Sequence, residues 1–209
     1  MPLITLSRCI CAQKRVGAHV GAHVGVCLLA WQSFSAQAQG VTYTLDPAHT
    51  HVHWEVLHFG TSTSRGRFDE VSGSLKLDAA ARTGEVSVAI TTTSVNTGVG
   101  PLNSVLRSSY LATTEFPQAY FVASGWRWTA EAPLEVRGEL TLHGVSRALV
   151  LRAPLLHCDT QPLLKREVCG ADLEGELQRS DFGITDGLPF IANRVRLVIQ
   201  VEAIRDEAR

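Results

Sequence analysis

Four of the eight histidines in this 209-residue chain fall within ten positions: His49, His51, His53 and His58. His49, His51 and His53 are spaced by two, so on an extended strand their imidazoles project from one face, as a strand-borne zinc site requires. An open fourth position on such a metal would activate water, and the chain would then be a metal-dependent enzyme. The competing reading uses the same alternation. Val52, Trp54 and Val56 interleave with His51, His53 and Glu55, the pattern of a strand with one buried face. His51 and His53 are then solvated outward positions, His49 belongs to the Asp46-Pro47 turn, and His58 shares the parity of the apolar set and points inward. Other catalytic signatures are missing. Gly144-Val145-Ser146-Arg147-Ala148 lacks the last glycine of a nucleophile elbow, there is no phosphate-binding glycine loop, and Asp181-Phe182-Gly183 stands without the other kinase motifs.

The elements that must position these residues are short strands. Gly66 to Asp78 and Glu85 to Thr93 alternate, with a parity shift at Asp69-Glu70 that predicts a bulge or bend. Pro101 to Ala112 instead spaces Leu102, Val105, Leu106 and Tyr110 by three and four, one apolar face of a short helix with proline in its first turn. Alternation resumes over Ala119 to Thr129, Leu134 to Leu142, Arg147 to Leu155, Ala171 to Arg179 and, most clearly, Asn193 to Ala203. Gly138 and Gly175 occupy inward positions, where another backbone or side chain approaches closely. About eight to ten strands and one helix predict an all-β barrel or sandwich. A barrel of about eight strands is either filled by side chains or holds one small ligand.

Composition is consistent with a single domain: 45% of residues are hydrophobic and 19% charged, enough for one sizeable core. A formal net charge of −1 gives no basic patch for nucleic acid and no polybasic membrane anchor. Residues 1–38 read as a signal peptide. Arg8, Lys14 and Arg15 precede a short apolar run, Val24 to Trp31, and Ala36-Gln37-Ala38 supplies a cleavage site after Ala38. The apolar run is too short and interrupted for a membrane span, so no stable membrane insertion of the mature chain is expected. Cleavage leaves Cys158 and Cys169, which in an oxidising compartment read as one disulfide.

Several motifs, taken in order, resemble the YceI-like family. They are Tyr43-x-Leu45-Asp46-Pro47-x-His49-Thr50, His58-Phe59-Gly60, Gly66-Arg67-Phe68, Ser94-Val95-Asn96-Thr97-Gly98, Leu106-Arg107-Ser108, Phe116-Pro117, Gly138-x-Leu140-Thr141-Leu142-x-Gly144-Val145 and Arg179-Ser180-Asp181-Phe182-Gly183-Ile184. The resemblance covers residues 41–204. It implies a periplasmic or secreted protein with an extended, antiparallel, lipocalin-like barrel of about eight strands, whose apolar tunnel is closed by the short helix. The implied function is non-catalytic binding or carriage of a long-chain isoprenoid, an isoprenoid quinone or its precursor, or a fatty lipid, with no cofactor and a homodimer as one arrangement. Inward parity and the helix face then nominate Trp54, Phe68, Leu102, Leu106, Tyr110, Phe121 and Phe182 as tunnel lining and His58 as a polar contact. Thr50 replaces the usual serine, and Leu102-Asn103 replaces an Arg-Asp pair common before the helix, which removes those two side chains as head-group contacts.

Overall fold

The computed structural model describes residues 40–129 and 132–207. The expected signal peptide, residues 1–38, lies outside the described residues. Strands β1 (Val41–Leu45), β2 (His51–His58), β3 (Ser62–Phe68), β4 (Val71–Asp78), β5 (Thr83–Thr91) and β6 (Val95–Asn96) precede a helix, α1 (Gly100–Val105), which a wider helical turn continues to Tyr110. Strands β7 (Gln118–Arg127), β8 (Leu134–Leu142), β9 (Val145–Ala153), β10 (His157–Gln161), β11 (Arg166–Gln178) and β12 (Ile191–Arg205) complete the chain. Every pairing is antiparallel. The sheet order ends with β11 returning to β12, so β12, β1, β4, β5, β7, β8, β9 and β11 close a ring of eight. Closure satisfies the backbone donors and acceptors that a sheet edge would leave open.

Three walls of the barrel are built from strands that break and resume. β1 and β2 both pair with the long β12, through Leu45 opposite Ala203 and Val52 opposite Ile199. β4 and β3 lie beside them in the same way, separated at Asp69-Glu70, where the bend was expected. There the backbone groups of Asp69 and Glu70 are satisfied by Ser94 and Thr91 instead of by a ladder. β10 resumes the path of β9 along β11.

The alternation places the core inside the ring. At the base, which carries the start of β1 and the end of β12, Tyr43, Leu77, Trp126, Leu134, Ala153, Cys169 and Ala203 are buried together. A smaller group, Val52, Val71, Ile90 and Ala119, is buried further up. Large rings fit where the facing strand lacks a side chain. Phe121 covers Gly138, Trp54 covers Gly66, and a Cβ added at either glycine would lie 2.6 or 2.3 Å from the ring.

The helix forms where its spacing predicted, but it is less covered than expected. Its apolar residues were expected to close the tunnel with a buried face, yet none of its residues is buried, and Leu102 and Val105 are exposed. The segment is short, starts from an extended Val99 with no side-chain cap, and is held mainly by polar bonds: Asn103 accepts from the Thr97 amide, and Arg107 donates to the Thr93 and Val95 carbonyls.

Candidate functional site

The register of β2 sets one wall of the interior. Val52, Trp54 and Val56 face Ile199, Leu197 and Val195 on β12 and Phe68, Gly66 and Ser64 on β3, and His58 faces Ser62. Along this wall, solvent access changes with height. The inward groups near the base are buried, whereas Trp54, Val56, His58, Ser64, Phe68, Leu177 and Val195 toward the helix end are only half-buried. The result is an apolar column inside the barrel with an accessible upper part. Trp54 and Phe68 pack against the buried clusters, and His58 is half-buried with its ring against Phe59. Leu106 and Tyr110 are half-buried at the helix end, and Leu102 is 39% exposed. Phe121 and Phe182 are packed fully into the core.

Polar groups cap this column differently at its two ends. At the base, the Tyr43 hydroxyl donates to Glu167 at 3.0 Å, and Arg205 holds the same carboxylate at 3.1 Å. Burial, and then the Glu167 carboxylate, push the Tyr43 phenol up to about 12. At the helix end, Arg179 is 4% exposed and donates to the carbonyls of Ile184, Ile191 and Ala192 at 2.9 to 3.0 Å. Its guanidinium carbon sits 5.7 Å from the Tyr110 ring centroid, within cation–π range. Burial lowers the Arg179 pKa from its ordinary value. Arg179 ties the β11–β12 connection across the barrel end. Sequence reasoning placed Arg179 in a motif but gave it no role, because a charge at the end of an alternating strand reads as surface.

The histidine set does not assemble as a metal site. His49 lies in the turn before β2, not on the strand, and its Nδ1 is 2.7 Å from an Asp46 carboxylate oxygen. That bond lowers the Asp46 pKa and raises that of His49. His51 and His53 point outward opposite Gln200 and Val198, with ring centroids 6.0 Å apart. Burial lowers the His53 pKa, with the neighbouring His51 and Arg67 adding to it. Among the described residues, the groups of three whose ligand atoms lie within 4.8 Å of one another are Asp46, His49 and Glu202, and Cys158, Glu167 and Cys169. His51 and His53 are in neither group. In the second, the thiols are consumed, since Cys158 and Cys169 form a disulfide. The enzyme built on His49, His51 and His53 therefore has no converging ligand set.

The description of the matching family model is YceI-like domain, and it spans residues 43–203. Protein YceI of Shigella flexneri is 31% identical over 179 residues, covering 83% of this chain and 93% of that protein. Two solved structures share the fold. Burkholderia cenocepacia BcnA aligns with a TM-score of 0.66 and 20% identity, over 76% of this chain and 99% of its own. A polyisoprenoid binding domain from Saccharophagus degradans aligns with a TM-score of 0.60 and 18% identity, over 79% and 99%.

Proposed function

The chain belongs to the YceI-like family, and from that premise we propose that it is a non-catalytic carrier that holds a long apolar lipid inside its barrel. The observation that carries this reading is the apolar column between β2, β3, β11 and β12, which is buried at the base and half-buried toward the helix end. A wall of this kind holds a hydrocarbon chain without ionic contacts. Each methylene transferred from water gains about 0.8 kcal/mol, so ten such groups supply about 8 kcal/mol against the cost of ordering the chain. The description of the Saccharophagus degradans domain as polyisoprenoid binding favours an isoprenoid tail, including that of a quinone or quinone precursor. Fatty chains fit the same chemistry. A periplasmic or secreted location is supported by the signal-like residues 1–38 and by the Cys158–Cys169 disulfide, which an oxidising compartment preserves.

Native mass spectrometry of protein purified from cells, followed by solvent extraction, tests the proposal. A co-purified long-chain lipid is expected. Val56→Asp, which places a carboxylate on the wall opposite Val195, is expected to lose that lipid while keeping the barrel's circular dichroism. A parent protein with no extractable chain would overturn the reading.

A further inference from the structure

The turn between β2 and β3 presents an aromatic tip at the upper end of the barrel. Phe59 is 58% exposed and Phe190, from the segment entering β12, is 63% exposed. Their rings stack with centroids 5.6 Å apart, and the Phe59 amide donates to the Phe190 carbonyl at 2.7 Å. Leu57, 45% exposed, lies on the outer side of the same hairpin. The His58 ring packs against Phe59 at 4.6 Å, and His58 itself faces inward at the accessible end of the apolar column. Single exposed hydrophobic residues are ordinary, but this is a stacked pair of rings joined by a backbone hydrogen bond.

Phe59 carries a second anomaly. Its φ is 51°, in the left-handed region, where a bulky side chain is disfavoured and glycine or asparagine is the usual occupant. A turn optimised only for stability would avoid both this backbone and an aromatic ring in water. The charge pattern indicates what the tip meets. Residues 58 to 64, His-Phe-Gly-Thr-Ser-Thr-Ser, contain no Asp, Glu, Lys or Arg. Behind the tip, Arg65 pairs with Glu55 and Arg194 with Glu176, and the nearest ionised group on the Phe190 side is the exposed carboxylate of Asp186. An uncharged aromatic wedge flanked by ion pairs and one exposed carboxylate, with no unpaired cation beside it in residues 58–64 or 183–190, is complementary to the interface of a bilayer, where aromatic rings partition favourably, with no call for anionic head groups.

We propose that the Phe59–Phe190 tip docks the barrel on a phospholipid bilayer with the accessible end of the apolar column against the membrane. This inference rests on the lipid-carrier reading. A chain leaving a membrane for the column would otherwise cross water with its apolar surface exposed, and docking at this end removes that gap.

Vesicle co-flotation tests the proposal, using protein as purified from cells and vesicles of phosphatidylcholine, with or without phosphatidylglycerol, at low and high salt. Binding to both compositions is expected, insensitive to salt. The Phe59→Ser, Phe190→Ser variant is expected to lower the partition coefficient about a hundredfold, since each ring surrenders more than half of its area to the membrane. Leu163 and Leu164, 89% and 47% exposed at the tip of the opposite β10–β11 hairpin, provide the control. Leu163→Ser, Leu164→Ser is expected to bind like the parent. The proposal is overturned if the phenylalanine variant still floats, if only the leucine variant loses binding, if binding needs anionic lipid and low salt, or if the tip instead mediates a dimer that does not bind vesicles. Solvent extraction of the same samples separates the two ideas. A phenylalanine variant that retains its lipid but no longer floats supports docking as a distinct step, while a parent that floats yet yields no lipid removes the carrier reading alone.

Discussion

Tyr43 links the base of the barrel to solution pH. Its hydroxyl donates to Glu167, and burial together with that carboxylate raises its pKa from 10.0 to about 12. Below pH 10, the phenol is protonated in both folded and unfolded chains, so the bond contributes fully. Between about 10 and 12, the unfolded chain releases a proton that the folded chain keeps, so stability falls as pH rises through this window. Tyr43→Phe removes the hydroxyl but leaves Glu167 paired with Arg205. It is expected to cost roughly 1 kcal/mol at pH 8, and urea midpoints for the two proteins should converge between pH 10 and 12. Parallel curves across that range would contradict the assignment. Arg179 shows the same logic at the other end of the barrel, where a buried charge is satisfied by three backbone carbonyls.

The β10–β11 hairpin is the element that depends most on a covalent link. Cys158 lies directly opposite Cys169, with the two Cα atoms 4.0 Å apart and a sequence separation of 11. A loop of this size is expected to stabilise the fold by about 2 to 4 kcal/mol. Thiol titration of the denatured, unreduced protein from residue 40 onward should find none, and Cys158→Ser, Cys169→Ser should lower the urea midpoint by that amount. β10 itself was not legible in the sequence. His157 to Gln161 has no apolar alternation, and its pairing comes from the turn and the disulfide. In contrast, β12 was legible because Val195, Leu197, Ile199 and Val201 form one unbroken inward row along a partner on each side. On β2, parity likewise picked out Val52, which is buried, and Trp54, which packs against the core. The helix was legible from its spacing, and Leu106 and Tyr110 on its apolar face are half-buried, but the rest of that face is not. Spacing of three and four marks an apolar face but does not say that anything covers it, and Leu102 and Val105 meet solvent. Phe59 entered only as the middle of the His58-Phe59-Gly60 motif and Phe190 not at all, because both sit in connections, where periodicity carries no signal.

At the scale of the whole molecule, a chain seated in the interior would act as part of the core. A ligand that binds only the folded barrel adds stability by mass action, about 2.7 kcal/mol at a free concentration of a hundred times its Kd. Solvent-extracted, refolded protein is therefore expected to unfold at a lower temperature than protein carrying its lipid, and adding an isoprenoid alcohol should restore the difference. Equal melting temperatures would mean that the interior is already complete without a guest. Barrel closure has a further consequence, for the order in which the fold can be made. The ring is sealed by its first and last strands, Tyr43 beside Arg205, and by a Thr44 to Asp206 side-chain bond spanning 162 positions. Contacts so distant in sequence make closure slow. Until the final fifteen-residue strand is available, β1, β2 and β11 all lack the partner they share. The ring therefore cannot close until β12 has formed, and the strand that supplies one side of the apolar column is also the one that ends the exposure of three open sheet edges.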